Sequence, residues 1–233
     1  MRALLLSNST NAGSETLGHA REAVGATLGG ADRLVFVPYA LHDWDAYTDH
    51  VGRALADVCQ VTGVHRMSRD EWERAPAIYV GGGNTFRLLD RLQREGLVEV
   101  IRRLVGEGVP YMGASAGSVI AGPSIRTTND MPIVEPASLQ ALGFLGFHLN
   151  CHYPDPPSGP RVFMGETRDE RLAEFLEEND SEVVCLREGA WLEVDGDRVA
   201  LGGPTGGKLF RRGAPISALN EGDTAASRQR WSL

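Results

Sequence analysis

The sequence predicts a single α/β domain built on a mostly parallel β-sheet with helices on both faces. Short apolar runs alternate with stretches of helical periodicity, as a parallel sheet with crossover helices requires. The 233 residues suit one domain spanning 1–233, and 42% of them are apolar, which is enough for a sizeable core. The 28 glycines indicate several sharp turns or close approaches of the backbone to a ligand.

Five apolar runs in the first half are the candidate strands: 3–7, 33–38, 60–66, 77–80 and 109–113. Between them, apolar residues recur on one helical face. One such set comprises Tyr47, Val51, Leu55 and Val58; another comprises Leu88, Leu92, Val100, Ile101 and Leu104. Gly96 is expected to divide the second stretch into two helices.

The stretch 121–165 is rich in proline and has little periodicity. A long irregular segment inside a compact domain is usually functional or disordered, and its apolar and histidine content favours an ordered role at a site. Thr167 and Glu170 then form a capping box that predicts a helix. The candidate strands beyond it are 182–187, 191–194, 198–201 and 208–212.

Charge and cysteine content exclude several classes of function. The net charge of −8 and the pI near 5.3 argue against nucleic acid as a partner, because phosphate binding needs a basic face. Cys59, Cys151 and Cys185 form no CxxC pair, which argues against a disulfide framework or structural zinc site. The apolar opening stops at Ser7, too early for a signal peptide, and no run could span a bilayer. We therefore expect a cytoplasmic protein with no membrane partner.

Residues 113–117 read Gly-Ala-Ser-Ala-Gly and match the G-x-S-x-G pattern. The motif follows the apolar run 109–112 and precedes a helix-compatible stretch, which is the context of a nucleophile elbow. Tight turns of this kind need small flanking residues and expose the oxygen of the central serine. Ser115 is therefore the candidate nucleophile, and the N–H of Ala116 points toward a forming oxyanion. A plain small-residue turn is the alternative.

A serine nucleophile needs a base and a group that orients the base. The six histidines are His19, His42, His50, His65, His148 and His152. The Ser…Asp/Glu…His order of elbow hydrolases selects the last two, with Asp130 or Glu135 as the acid. For either histidine alone, a packed or hydrogen-bonded side chain is the commoner role.

Several blocks of the sequence resemble the peptidase E family of aspartyl dipeptidases in order and spacing. The most specific is the block 125–134, Ile-Arg-Thr-Thr-Asn-Asp-Met-Pro-Ile-Val. The others are residues 4–10, 81–86, 113–117, 150–152, 165–168 and 201–204. Together they cover nearly the whole chain, and the combination is far more specific than any single block.

The resemblance implies a flavodoxin-like fold of the class I glutamine amidotransferase type. It also implies a triad in which Ser115 is the nucleophile, His152 the base and Asp130 the acid. Glu135 is the alternative acid, because a glutamate has this role in the related cyanophycinases. The chain departs from familiar relatives at Cys151, where they have proline.

The glycine-rich run 81–83 follows a predicted strand and leaves backbone N–H groups open to an anion. It lacks the spacing of a nucleotide-binding loop, and a tight turn into a helix is the simplest alternative. By resemblance to the family, we expect Gly82 or Gly83 to join Ala116 in an oxyanion hole and Asn84 to contact substrate.

Arg168 is expected at the first position of the helix that Thr167 caps. The helix dipole disfavours a cation there, so the arginine is better explained if it binds an anion. A solvated arginine paired with Glu166 or Asp169 is the common alternative. The family's aspartate-recognising arginine matches this position, and a guanidinium would select a carboxylate side chain.

The combined expectation is a serine exopeptidase that hydrolyses short peptides with N-terminal aspartate, needing neither cofactor nor metal. Its partners would be small aspartyl peptides, and the chain would be a monomer or homodimer. One alternative is a cyanophycinase-like hydrolase of β-aspartyl dipeptide units, since a shared fold can carry a different pocket. Another is a non-catalytic module that binds carboxylates or nucleotides on a flavodoxin-like sheet.

Overall fold

A computed structural model describes residues 1–154 and 165–223 of the chain. It contains eleven strands: β1 (Arg2–Leu6), β2 (Arg33–Val37), β3 (Gln60–Gly63), β4 (Ile78–Val80), β5 (Tyr111–Ala114), β6 (His148–Asn150), β7 (Glu182–Leu186), β8 (Trp191–Asp195), β9 (Arg198–Gly202), β10 (Gly207–Arg211) and β11 (Ser217–Leu219). The α-helices are α1 (Arg21–Leu28), α2 (Trp44–Ala54), α3 (Arg69–Trp72), α4 (Thr85–Arg94), α5 (Leu97–Gly106), α6 (Ala116–Val119) and α7 (Arg168–Glu178).

The main sheet has seven strands in the order β3-β2-β4-β5-β1-β8-β9. The first five strands are parallel, and β8 and β9 continue the sheet in antiparallel fashion. This arrangement confirms the predicted mostly parallel α/β fold. Because the carboxyl ends of parallel strands meet at one edge, the residues after β1, β4 and β5 are brought together there.

Helices cover both faces of the main sheet, so alternate residues of β1 are buried in two different hydrophobic clusters. Leu4 and Leu6 belong to one buried cluster, which includes Val24 and Leu28 of α1. Leu5 belongs to a second cluster, which includes residues of α4 and α5. The near-continuous apolar character of β1 is therefore explained by burial on both sides. Gly96, at φ +65°, separates α4 from α5 as predicted.

A second sheet of four strands, in the order β11-β10-β7-β6, lies beside the first. Only its β6–β7 pair is parallel. The sequence predicted two of its four strands, β7 and β10, but not that they leave the main sheet. It did not predict the three-residue strands β6 and β11. Helix α7 packs on this sheet through Leu172 and Leu176, which share a buried cluster with Phe210.

The predicted irregular segment is confirmed over residues 121–147, which contain neither helix nor strand. It is nevertheless ordered by packing, since Ile125, Ala141 and Leu142 are fully buried. Residues 155–164 of the predicted segment lie outside the described residues. Within the described ranges, no helix is both long and apolar enough to cross a bilayer.

Candidate active site

Ser115 occupies the sharp turn between β5 and α6, with φ +50° and ψ −110°. A positive φ is unusual for a residue with a side chain and marks local strain. The flanking glycines explain how the turn closes. A Cβ on Gly113 would lie 2.5 Å from the Gly117 oxygen, and one on Gly117 would lie 2.0 Å from the Val80 oxygen. The structure thus has the steric properties of a nucleophile elbow.

His152 lies within hydrogen-bonding distance of Ser115, with 2.8 Å between Nε2 and Oγ. Its backbone also has a positive φ, +53°, and is fixed by the end of β1. The His152 N–H donates to Ser7 Oγ at 2.9 Å, and the Ser7 hydroxyl donates to the Leu186 carbonyl at 2.9 Å. Ser7 is fully buried, so the base is anchored to the core of the fold.

The carboxylate that contacts His152 belongs to Glu188, in the turn between β7 and β8. Glu188 Oε1 is 2.9 Å from His152 Nδ1. This contact favours the tautomer with its proton on Nδ1, which leaves Nε2 free to accept the Ser115 proton. The next residue is also fixed, because the Gly189 N–H donates to Asn8 Oδ1 at 2.8 Å.

Asp130 and Glu135, the two acids expected from the sequence, are not in contact with His152 in the structure. Asp130 Oδ2 instead accepts hydrogen bonds from the Thr85 N–H at 2.7 Å and the Thr128 hydroxyl at 3.1 Å. Glu135 is exposed on the irregular segment. Both acids precede the histidine in the chain, and the resemblance also implied the triad role for Asp130, whereas Glu188, which contacts the ring, follows it.

A signal for Glu188 was present in the sequence. It directly follows the predicted strand 182–187 and precedes a glycine. Polar residues at the carboxyl ends of strands are common at the sites of α/β proteins. The sequence did not reveal this role, because the contact of Glu188 with His152 depends on how the second sheet packs beside the first.

His148, the other histidine selected by chain order, is a core residue. Ser124 Oγ is 2.9 Å from its Nε2, and Ser181 Oγ is 2.9 Å from its Nδ1. Burial, with a smaller contribution from Arg126, lowers the pKa of His148 to about 4. The ring is therefore neutral near pH 7 and has a structural role.

Two backbone N–H groups near Ser115 could bind an oxyanion. Those of Gly83 and Ala116 have no acceptor within residues 1–154 and 165–223. The Gly82 N–H is different, because it donates to the Tyr47 hydroxyl at 2.9 Å. Of the two glycines expected for this role, Gly83 therefore has the open donor. A Cβ on Gly83 would lie 2.6 Å from the Ala40 oxygen, so glycine is required there.

A cleft of about 950 Å³ opens above Ser115 and His152. Its described lining comprises residues 8–10, Leu41, His42, Asp43, Ala46, Tyr47, His50, Gly82, Gly83, Ser115, Asp130, His152 and Glu188. The predicted nucleophile, base and glycine loop thus share one cleft with Asp130. Neither Arg168 nor Asn84 is among these lining residues.

Arg168 occupies the first position of α7, as expected from the capping box of Thr167. Its Nη1 donates to Asn150 Oδ1 at 2.9 Å, two residues before His152. No carboxylate of the described chain forms an ion pair with it. Burial lowers the pKa of this guanidinium, although arginine remains charged. A half-buried cation without a counter-ion is suited to bind an anionic group.

Asn84 caps α4 rather than facing the described cleft. Its Oδ1 accepts from the Arg87 N–H at 3.0 Å, and its Nδ2 donates to the Met131 carbonyl at 2.9 Å. The amide is thus engaged in holding the irregular segment next to Asp130. The structure does not bring this predicted substrate ligand to Ser115.

The block 125–134 braces the strand that leads to the base. Asn129 Nδ2 donates to the Cys151 carbonyl at 3.0 Å, and Asn150 Nδ2 donates to the Thr127 carbonyl at 2.7 Å. Asn150 therefore links this block to Arg168. Cys151 itself is buried, and burial raises its thiol pKa to about 12, which makes it a poor nucleophile.

No group of three or more His, Cys, Asp or Glu side chains among the described residues could hold a metal ion.

The chain is similar to known peptidases along most of its length. Residues 3–202 match the model of peptidase family S51. Peptidase E of Streptomyces coelicolor is 55% identical over 225 residues, covering 95% of this chain and 92% of that protein. Peptidase E of Salmonella arizonae is 40% identical over 228 residues, covering 95% and 99%.

A solved structure supports the fold. The crystal structure of a peptidase from an acI-B1 Actinobacterium superposes with a TM-score of 0.68 at 16% identity, covering 95% of each chain. With a family model matching most of its length and close relatives covering nearly all of it, the chain belongs to peptidase family S51 and is a serine peptidase.

Proposed function

We propose that this serine peptidase is a dipeptidase that removes an N-terminal aspartate from very short peptides. The single observation that carries the proposal is the continuous contact from Ser115 Oγ through the His152 ring to Glu188. That chain can activate a hydroxyl near neutral pH. The relatives named peptidase E support the same class of reaction.

In the acylation step, Ser115 Oγ attacks the aspartyl carbonyl carbon while His152 Nε2 takes the hydroxyl proton. Glu188 stabilises the imidazolium, and the N–H groups of Gly83 and Ala116 donate to the tetrahedral oxyanion. The C–N bond then breaks, and His152 gives its proton to the leaving amine. Water attacks the resulting ester with His152 again as base, which releases aspartate and frees Ser115.

Recognition of the aspartyl side chain is assigned to Arg168. Its guanidinium is half-buried, has no carboxylate partner in the described chain and is held by Asn150, two residues before His152 in the chain. A neutral side chain in its place would leave this charge unpaired in a partly desolvated site. Selectivity for aspartate over neutral residues follows.

Recognition of the substrate's ammonium group is assigned to Asp130. Its Oδ2 is fixed by Thr85 and Thr128, while the carboxylate lines the same cleft as Ser115. A rigidly held carboxylate can pair with the free α-amino group and so limit cleavage to the first residue. Asp130, to which the family resemblance gave a triad role, would thus position the substrate and would not orient His152.

The test is hydrolysis of aspartyl p-nitroanilide by the wild type, Ser115→Ala, Arg168→Ala and Arg171→Ala. Arg171 is the matched control, because it lies on the same helix but is exposed and paired with Glu166 at 3.6 Å. We expect loss of activity in Ser115→Ala and at least a hundredfold lower kcat/KM in Arg168→Ala, with Arg171→Ala unchanged.

Substrate class is tested with Asp-Leu, Glu-Leu and β-Asp-Arg. Preferential cleavage of Asp-Leu supports the proposal, whereas preference for β-Asp-Arg would favour a cyanophycinase-like enzyme. Circular dichroism of each variant establishes that the fold is intact. If folded Arg168→Ala cleaves the aspartyl substrate as well as the wild type does, the specificity assignment is wrong.

A further inference from the structure

One wall of the cleft has no part in the chemistry described above. It consists of Ser9 and Thr10, which follow β1, and of His50 on α2. Ala46 and His50 are four residues apart and therefore lie on the same face of α2, with Tyr47 beside them. We refer to Ser9, Thr10 and His50 as the polar wall.

A hydrogen-bonded chain connects the two parts of the polar wall. Thr10 Oγ1 is 3.1 Å from Thr16 Oγ1, and Thr16 Oγ1 is 2.9 Å from His50 Nε2. When Thr16 donates to Nε2, the imidazole carries its proton on Nδ1. In that tautomer, the Nδ1–H has no acceptor within the described residues and is an open donor in the lining of the cleft.

The position of the polar wall relates it to the leaving group. His152 must deliver its proton to the leaving amine, so the leaving residue lies on the side of the base. Ser9 and Thr10 directly follow Asn8, whose Oδ1 accepts from the Gly189 N–H next to Glu188. The polar wall therefore adjoins the base and its carboxylate, whereas Asp130 is held elsewhere in the cleft, by Thr85.

The charged residues that line the cleft limit the kinds of ligand that the polar wall can bind. Its described lining contains no lysine or arginine, and its carboxylates are Asp43, Asp130 and Glu188. Asp43 caps α2 by accepting from the Ala46 N–H at 2.9 Å. The lining therefore offers no side-chain cation to a carboxylate on the leaving residue, and the hydroxyl and imidazole groups of the polar wall are the side-chain donors available to it.

We infer that the polar wall is the subsite for the leaving residue and recognises its free α-carboxylate through His50 and Thr10. This inference rests on the proposed dipeptidase function and extends it to the second residue of the substrate. It explains why a dipeptide would be preferred to a longer or amidated peptide, since only the dipeptide places a carboxylate there.

The experiment compares kcat/KM for Asp-Leu and Asp-Leu-amide in the wild type, His50→Ala and His42→Ala. Both substrates share the aspartyl group and differ only in the terminal carboxylate. His42 is the matched control, because it lines the same cleft but has no link to the Thr10–Thr16–His50 chain. We expect His50→Ala to lower kcat/KM for Asp-Leu about tenfold, mainly through KM, and to leave Asp-Leu-amide unchanged.

The outcomes separate this inference from the function on which it rests. Equal loss on both substrates, or an unchanged preference for Asp-Leu in His50→Ala, would overturn the subsite. So would an equal loss of preference in His42→Ala. If the wild type cleaves neither aspartyl substrate, the proposed function fails, and the subsite fails with it. Thr16→Val, which removes only the group that holds His50, should lower the preference less than His50→Ala does.

Discussion

Removing the carboxylate of Glu188 tests which acid serves His152. The Glu188→Ala substitution eliminates the contact of 2.9 Å between Oε1 and His152 Nδ1. Two unit charges about 4 Å apart attract by about 1 kcal/mol in water and about 4 kcal/mol at an effective dielectric constant of 20. The side chains of His152 and Glu188 are 43% and 64% exposed, so we place the value near 2 kcal/mol.

This energy applies to the imidazolium that forms in the transition state, so it should appear in kcat. About 2 kcal/mol corresponds to a fall of about thirtyfold. The loss is smaller than that expected for a buried acid, because water can solvate the imidazolium in the variant. Position 188 is exposed, so the substitution should leave the free energy of unfolding almost unchanged.

The assay is steady-state hydrolysis of aspartyl p-nitroanilide with Glu135→Ala and Asp130→Asn for comparison. Glu135→Ala should match the wild type, because its side chain is exposed and away from His152. Asp130→Asn should act chiefly on KM if it holds the substrate's ammonium group. The reasoning is refuted if Glu188→Ala keeps kcat within threefold of the wild type while Asp130→Asn or Glu135→Ala lowers it.

Three further predictions concern the stability of the fold around the site. Burial lowers the pKa of His148 to about 4 from 6.5, so the unfolded chain binds the extra proton between these values. The free energy of unfolding should therefore fall as pH drops from 6.5 to 4, by at most about 3 kcal/mol from this residue. Urea titrations should show that the free energy of unfolding of His148→Gln depends less on pH than that of the wild type. An unchanged pH dependence would contradict the lowered pKa of His148. Gly117→Ala should lower the free energy of unfolding by about 3 kcal/mol or more, because the added Cβ would clash with the Val80 oxygen. Gly106→Ala, whose added Cβ contacts nothing, should raise the free energy of unfolding by about 0.5 kcal/mol. Equal melting temperatures for these two variants would rule out the steric argument. Ser115→Gly should relieve the positive φ and be about 1 kcal/mol more stable than Ser115→Ala, although both are inactive.

Most of the fold could be predicted because its signals are local. The apolar runs of β1, β2, β4 and β5 are bounded by turn residues, and Gly96 marks a break that the backbone confirms. Strands β6 and β11 have only three residues each, too few to show the alternation of a strand. Their membership in a second sheet depends on distant pairing, such as that of Asn150 with Cys185, which no local pattern reports.

The candidate site divides in the same way. Ser115 was predicted from a steric motif of five residues, and the structure explains each glycine in it. His152 could be chosen over His148 only through resemblance, because both histidines lie in or near an irregular segment. Glu188 could not be found by chain order, since its approach to His152 depends on the turn that joins two sheets. The engagement of the Gly82 N–H by Tyr47 likewise arises from the packing of α2 against the glycine loop.

The placement of β1 between β5 and β8 determines when the active site can form during synthesis of the chain. Leu6 accepts the Ser115 N–H, Ser7 holds the His152 backbone, and Asn8 holds the turn of Glu188. The partners of the last two, His152 and Gly189, lie 145 and 181 residues further along the chain. A nascent chain therefore cannot hydrolyse peptides until the turn of Glu188 has been translated and has folded against the end of β1, because only then can Ser115, His152 and Glu188 meet.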